Sequence, residues 1–285
     1  MLEGNEMASV ICGIILYKNS ELEIKRCLDS IKRQSAIGSI SKVILRDHAA
    51  GYNEMHIKNW INQNSEIFQI DYLVGENIGF GAGHNAIFFG EDTNAYAYFC
   101  INPDGFLHPQ CLEVLLSSAE KEKWQGLFEA VQEPIMHPKS FSPATGVTDW
   151  SSAACLLIPS AIFRELSGFH DDFFLYCEDV DLSWRAKALG YACYLCVHAK
   201  FFHYAVDRQS RSVEIWRSAC ILSRKWRADT FFSHAINVLS SLTSVSTSEL
   251  RESFMPYSQF SLESVLRAQP NFHNSLTFSQ PMWKD

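Results

Sequence analysis

The chain has 285 residues, 47% hydrophobic and 20% charged, enough apolar material for one large domain, with or without an appendage, whose core needs no disulfide staple. Twenty-four Lys and Arg against 32 Asp and Glu leave a formal charge of -8 without a long basic block, which argues against general binding to a nucleic-acid backbone but leaves room for a small anion at a locally positive site. The nine cysteines are scattered singly through apolar runs and read as reduced; the close pair Cys193 and Cys196 has no second pair to complete a zinc site and reads as strand packing. The N-terminus lacks the order of a secretory signal, and no apolar stretch reaches the roughly 18 residues of a spanning helix, so the expected location is cytoplasmic.

Val10 to Tyr17 predicts a strand, and SELEIKRCLDSIKRQ, with Leu22, Ile24, Leu28 and Ile31 near helical spacing, a helix. Lys42 to Asp47 predicts a second strand, AAGYN a turn, Met55 to Ile61 a helix and Phe68 to Val74 a third strand. A Gly-rich loop, Asn77 to Asn85, leads into a short helix at AIFFG; Ala95 to Ile101 predicts a buried strand that stops at NPDG, and Pro109 opens a helix through CLEVLLSSAEKEK. This alternation predicts an α/β fold with a mostly parallel sheet covered on both faces. Glu133 to Thr148, with three Pro and one Gly, predicts a surface loop that crosses or caps the site. TDWSSAACLLIP predicts a strand. GFHDDFFLYCEDVDLSWRAKALG predicts an aromatic loop entering an amphipathic helix, with Leu182, Ala186 and Leu189 on one face and Gly190 as its cap. YACYLCVHAKFFHY predicts a strand, Val213 to Leu242 is helical in pattern, and the last 35 or so residues are Ser-rich and less regular.

In such sheets ligands collect beyond the carboxyl ends of the strands, and Asp47, the Asn77–Asn85 loop and Asn102 to Asp104 all follow strand candidates. The glycines of NIGFGAGHN bring backbone N–H groups close to an anion or serve a tight turn; their GxGxG spacing and late position do not fit a dinucleotide fingerprint. Asn102 and Asp104 place two oxygen-bearing side chains at a strand exit, suited to a hard divalent cation or to a type I turn. Glu178, Asp179 and Asp181 crowd a helix N-terminus, where the helix dipole favours them and where one would serve as a general base; Asp181, four residues before Arg185, reads as an ion pair.

In their order, these residues resemble the inverting glycosyltransferases of family two with the GT-A fold, especially the rhamnosyltransferase-like branch that builds bacterial surface polysaccharides. The most specific pieces are NIGFGAGHN, INPD in place of an Asp-x-Asp element, and GFHDDFFLYCEDVDLSWRAKALGY followed by His203. The resemblance covers Val10 to Tyr204 and implies a GT-A domain over residues 1–207 with a helical C-terminal extension and irregular tail over 208–285. It implies donor contacts at Tyr17, Asp47, Asn77, Gly79, Gly81, Asn85, Asn102 and Asp104, and an acceptor contact at Trp150. It further implies a divalent cofactor, Mg²⁺ or Mn²⁺, held by Asp104 and His203, and a catalytic base at Asp179 with Glu178 as its paired carboxylate. The expected reaction moves a sugar from a nucleotide diphosphate donor, dTDP-rhamnose first and a UDP-sugar next, to a hydroxyl of a glycan or lipid-linked acceptor with inversion, in O-antigen or capsule synthesis. Departures from the family's pattern are Asp47-His48-Ala49-Ala50-Gly51-Tyr52 for its Asp-Asn-x-Ser-x-Asp, which leaves the base open, Ala153 where relatives often have Gly, and the uncharged Asn102. A catalytically silent sugar-nucleotide-binding subunit and a dinucleotide oxidoreductase are the competing readings. Arg208, Arg211, Arg217, Arg224, Lys225 and Arg227, interleaved with Trp216 and Trp226, read either as a solvated helix face or as a peripheral contact with the anionic inner membrane.

Overall fold

The computed structural model describes residues 9–52, 54–64, 69–90, 94–203 and 211–272; Phe68, Tyr204 and Arg208 lie outside them. Strand β1 (Val10–Leu16), buried throughout, lies between β2 (Ile40–Asp47) and β4 (Ala97–Ile101), both parallel to it, and β3 (Gln69–Val74) extends the sheet beyond β2. Past β4 the sheet becomes mixed. Strand β8 (Cys155–Pro159) runs antiparallel between β4 and β6 (Gly126–Glu133), β9 (Ala192–His203) runs parallel to β6, and β5 (Gly105–Leu107) and β7 (Val147–Thr148) pair antiparallel with β9. Among the described residues the order is β3-β2-β1-β4-β8-β6-β9-β5, with β7 also on β9. The carboxyl ends of β1 to β4, β6 and β9 therefore share one edge with the start of β8.

Side chains alternate across β1. Cys12, Ile14 and Leu16 join one core with α1 (Glu21–Lys32), α2 (Glu54–Asn64) and α4 (Cys111–Lys121); Ile11 and Ile15 join the other with α3 (Phe80–Gly90), α5 (Ser160–Glu165) and α6 (Glu178–Ala188). Helix α1 starts where Ser20 and Glu23 cap each other's backbone N–H groups in a capping box. A third core joins Phe173 and Trp184 to Trp226, Phe231 and Leu239, and thereby seats α7 (Ser212–Lys225), α8 (Asp229–Thr243), α9 (Thr247–Phe254) and α10 (Leu262–Ala268) against α6.

Several elements differ from the sequence expectations. The Gly-rich motif is helical from Phe80 onward, β5, β6 and α5 arise where no element was expected, and the helical run after Val213 breaks at Arg227, whose φ is 58°. The serines of the tail act as helix caps: Ser246 Oγ accepts the Glu249 N–H and Ser261 Oγ the Ser264 N–H. Leu22 and Leu189 sit in solvent at 61% and 50% exposure, off the faces their spacing suggested. All nine cysteines are buried and free, and burial pushes Cys193 up to about 11 and Cys196 up to about 12.

Two residues of the basic segment turn inward. Lys225 and Trp226 are buried at 2% and 1% exposure. Lys225 Nζ meets Asp172 Oδ2 at 2.5 Å and His170 Nε2 at 3.0 Å, and Trp226 Nε1 donates to Asp181 Oδ1 at 3.0 Å. No helix among the described residues is long and apolar enough to cross a membrane. Since removing one partner of a buried pair leaves the other uncompensated, Lys225→Ala is expected to destabilise the fold by about 2 kcal/mol, short of the full penalty because Asp172 stays partly wet; thermal denaturation reads the loss.

Candidate active site

The glycines of NIGFGAGHN serve packing rather than an anion loop. Gly79 has a φ of +94°, and a Cβ there would lie 2.4 Å from the Phe174 carbonyl, which accepts the Phe80 N–H at 2.9 Å. A Cβ at Gly81 would lie 2.8 Å from Phe169 Cβ, and one at Gly83 2.6 Å from His48 Cε1. Asn85 completes the contact: its Oδ1 accepts the Phe169 N–H at 2.8 Å and its Nδ2 donates to Phe169 O at 2.7 Å. Gly81 and Asn85 thus hold α3 against the 168–178 segment. Asn77 is exposed, with its Oδ1 accepting the Gly79 N–H at 3.2 Å.

The 168–178 segment delivers the acidic pair. Tyr176 and Cys177 are consecutive left-handed residues, at φ 70° and 65°, and such conformations cost of order 1–3 kcal/mol each unless the surroundings impose them. Here Ser218 Oγ of α7 donates to Leu175 O at 2.7 Å. Asp179 follows, half-buried, with the Ala153 N–H on Oδ2 at 3.1 Å and the Val180 N–H on Oδ1 at 2.8 Å. Burial raises its carboxyl above the ordinary range, while those N–H groups and Lys139 pull the other way. Glu178 is only 5% exposed, its Oε2 has no hydrogen-bond partner, and burial together with the neighbouring Asp179 pushes it well up. Asp179 is the more exposed of the two carboxylates, and Glu178, the more deeply buried, is the one held furthest above the ordinary range.

At the same sheet edge, His203 Nε2 lies 3.1 Å from Asp104 Oδ1. His203 Nδ1 faces Gln132 Oε1 at 2.9 Å, and the amide nitrogen of Gln132 donates to Ser152 Oγ at 3.2 Å. His203 therefore donates through Nδ1 and turns Nε2 toward a carboxylate oxygen, an arrangement that a second proton or a cation satisfies. Asn102 Oδ1, two residues before Asp104, is buried without a hydrogen-bond partner. These two oxygens and one nitrogen suit a divalent cation, although no cluster of three or more His, Cys, Asp or Glu able to hold a metal occurs among the described residues.

Other expected residues sit differently. Tyr17 is 52% exposed at the end of β1. Asp47 is fully buried, with Oδ1 accepting the Ala49 N–H at 2.7 Å and Oδ2 the Tyr72 hydroxyl at 2.6 Å, so it ties the turn after β2 instead of presenting a carboxylate to a base. Trp150 is 6% exposed and belongs to the third core, which makes it backing for the site more than an open stacking face. Sequence reasoning missed Lys139, Glu129, Gln132 and Ser152, because no spacing signals a contact between a loop and two distant strands. It also took Arg211 for a surface charge; Arg211 Nη1 reaches Tyr176 Oη at 3.5 Å and is raised by that contact and by the charge of Asp104.

No family model matches the chain. It is 30% identical over 69 residues to N-acetylglucosaminyl-diphospho-decaprenol L-rhamnosyltransferase of Mycobacterium tuberculosis, 24% of this chain and 22% of that protein. It is 31% identical over 68 residues to rhamnosyltransferase WbbL of Escherichia coli strain K12, 24% of this chain and 26% of that one. The matched stretch thus spans about a quarter of these relatives' length. Among solved structures, GalNAc-T7 with UDP, GalNAc and Mn²⁺ superposes with a TM-score of 0.67 at 10% identity, over 90% of this chain and 56% of that one. The mannosyltransferase PcManGT from Pyrobaculum calidifontis, in complex with GDP-Man and Mn²⁺, gives 0.58 at 12% identity over 93% and 87%. The chain is GT-A in fold, and about a quarter of it is similar in sequence to rhamnosyltransferases. In this GT-A frame Asp179 and the Asp104–His203 pair stand at the edge where the parallel strands end, joined through Ser152 and Ala153.

The two carboxylates separate in a stability measurement. Below about pH 4 Glu178 carries its proton in the folded and unfolded chain alike. As pH rises past the unfolded value, the unfolded chain gains by ionising and the folded chain does not, so stability falls until the raised folded value is passed. Glu178→Gln removes that loss and is expected to be more stable than wild type near about pH 7 and matched with it near about pH 4, by urea unfolding.

Proposed function

We propose that this protein is an inverting glycosyltransferase that moves a sugar from a nucleotide diphosphate donor, dTDP-rhamnose first and a UDP-sugar next, to a hydroxyl of a glycan or lipid-linked acceptor, in the cytoplasm and toward O-antigen or capsule. The observation that carries it is the accessible Asp179, oriented by two backbone N–H groups and standing on the same sheet edge as Asp104 and His203. The partial likeness to rhamnosyltransferases adds support, as do the nucleotides and nucleotide sugar bound by the GT-A neighbours.

Asp179 accepts the proton of the acceptor hydroxyl as its oxygen attacks the anomeric carbon from the face opposite the diphosphate. The bond to the diphosphate oxygen breaks with its electron pair, and the anomeric configuration inverts in one in-line step. Asp104 and His203, with Asn102 beside them, would hold a divalent cation, which when bound supplies Lewis-acid stabilisation of the leaving diphosphate. Arg211 offers a fixed positive charge near the same carboxylate. Tyr17 and Asn77, exposed after β1 and β3, would contact the nucleotide. The silent binding-subunit reading has one observation in its favour: Asp47 spends both oxygens inside the chain.

Nucleoside diphosphate release, measured with a panel of dTDP- and UDP-sugars with and without EDTA, tests the proposal. Asp179→Asn is expected to lose about 10²- to 10⁴-fold in turnover with little change in donor affinity. Because the base must be ionised and its carboxyl is raised, activity should climb with pH along an acid limb lying above the ordinary carboxylate value of about 4. Donor binding without release by the wild type would establish the silent subunit, and an Asp179→Asn variant keeping more than about a third of turnover would remove the base assignment.

A further inference from the structure

Lys139 belongs to the Pro-rich stretch expected on the surface, yet it is 0% exposed. Its Nζ pairs with Glu129 of β6, itself 1% exposed, donates to Trp150 O at 2.8 Å and lies 4.1 Å from the centre of the Trp150 ring. Glu129 also accepts the Ser152 backbone N–H. Between them, the Ser151 N–H donates to Ser183 Oγ at 2.9 Å, and next comes Ala153, whose N–H meets Asp179. Four consecutive residues are fixed one by one: 150 by Lys139, 151 by α6, 152 by Glu129, and 153 against the base.

Stability alone does not call for this pair. Two ions taken out of water lose hydration that their attraction barely repays, and an apolar pair of similar volume generally holds such a site as well or better. What an apolar pair lacks is a positive charge. The titratable groups facing Asp179 are Glu178 beside it, Glu129 from β6, Cys100 from β4, Cys177 from the preceding loop, and Lys139. Among the described residues in that set, Lys139 alone is a cation.

We propose that Lys139 is a positioning residue for the transfer reaction: paired with Glu129 it locks residues 150–153 so that the Ala153 N–H meets Asp179, and it supplies the positive charge that an ionised Asp179 requires in this setting. The inference rests on Asp179 serving as the base. Its effect opposes burial, since the Lys139 ammonium draws Asp179 down while desolvation pushes it up.

The test follows Asp179 directly, in protein carrying ¹³C-carboxyl aspartate, its resonance identified as the one missing from Asp179→Asn. The double variant Glu129→Gln, Lys139→Met removes both charges at nearly constant volume. It is expected to fold, to titrate Asp179 about one pH unit higher, and to carry the acid limb of transfer upward by the same amount. A folded double variant whose Asp179 midpoint is unchanged or lower overturns the proposal, because losing either the ammonium or the alignment of the Ala153 N–H would raise it. A second measurement needs no variant to fold: in the wild type the Lys139 ¹⁵Nζ resonance should shift with the midpoint of Asp179, and a flat signal overturns the proposal as well. If the wild type releases no nucleoside diphosphate from any donor, the functional reading fails while both titrations still report on Lys139.

Discussion

The grip of Asn85 on the backbone of Phe169, with Gly79 and Gly81 allowing α3 to close on the same segment, decides where the acidic pair stands. Both hydrogen-bonding ends of the Asn85 amide are spent on one residue, and a side chain at Gly79 or Gly81 would force the two segments apart. Because α3 follows β3 directly, this contact refers the 168–178 loop to the carboxyl edge of the parallel strands. From there the chain reaches α6 through two left-handed residues in succession, a conformation that persists only where its neighbours impose it.

Much of that imposition comes from the C-terminal helices. Ser218 holds Leu175, Lys225 holds Asp172, and Trp226 donates to Asp181, which also takes the guanidinium of Arg185 at 2.7 Å. The helices after β9 therefore brace the loop that carries the site, and the amphipathic pattern of α7, which in sequence resembles a surface seeking a membrane, is satisfied by Phe173, Trp184 and Phe231 in a third core. Burial withdraws Lys225 and Trp226 from the basic surface, while Arg211, Arg217 and Arg227 stay exposed.

The parts of the fold legible in the sequence were those with a local cause. The β1 run, the capped α1, the buried β4 and the Glu178 helix closed by Gly190 all declare themselves through periodicity and caps within a dozen residues. The same local logic misread NIGFGAGHN. Alternate glycines look like a loop when the helix they belong to is judged by propensity, whereas close packing on Phe169 and His48 outweighs the roughly 1 kcal/mol that each helical glycine costs. Asp104, His203 and Asp179 were identified by likeness, and the fold brings them to one edge. The buried Lys139–Glu129 pair and the internal engagement of Asp47 were invisible, since each depends on a partner from another strand or loop and on burial that composition does not register.

Two adjacent carboxyl groups at one buried helix start cannot both ionise cheaply, and what surrounds each of them decides which does. Asp179 has two backbone N–H groups and a nearby ammonium. Glu178 has burial and an orphaned oxygen. The asymmetry favours the negative charge on Asp179, the more exposed of the two, and holds the Glu178 carboxyl well above its ordinary range. In a chain of net charge -8, that upward shift bears on the proposed donor site as well. At the proposed donor site beside Asp104, a carboxyl held toward its neutral form adds less negative charge from the helix start, and Arg211 adds a positive one near Asp104. In the proposed reaction the raised Glu178 carboxyl would favour the donor as well as the base, because each charge withheld from the pocket lowers the repulsion that a diphosphate must overcome to bind there.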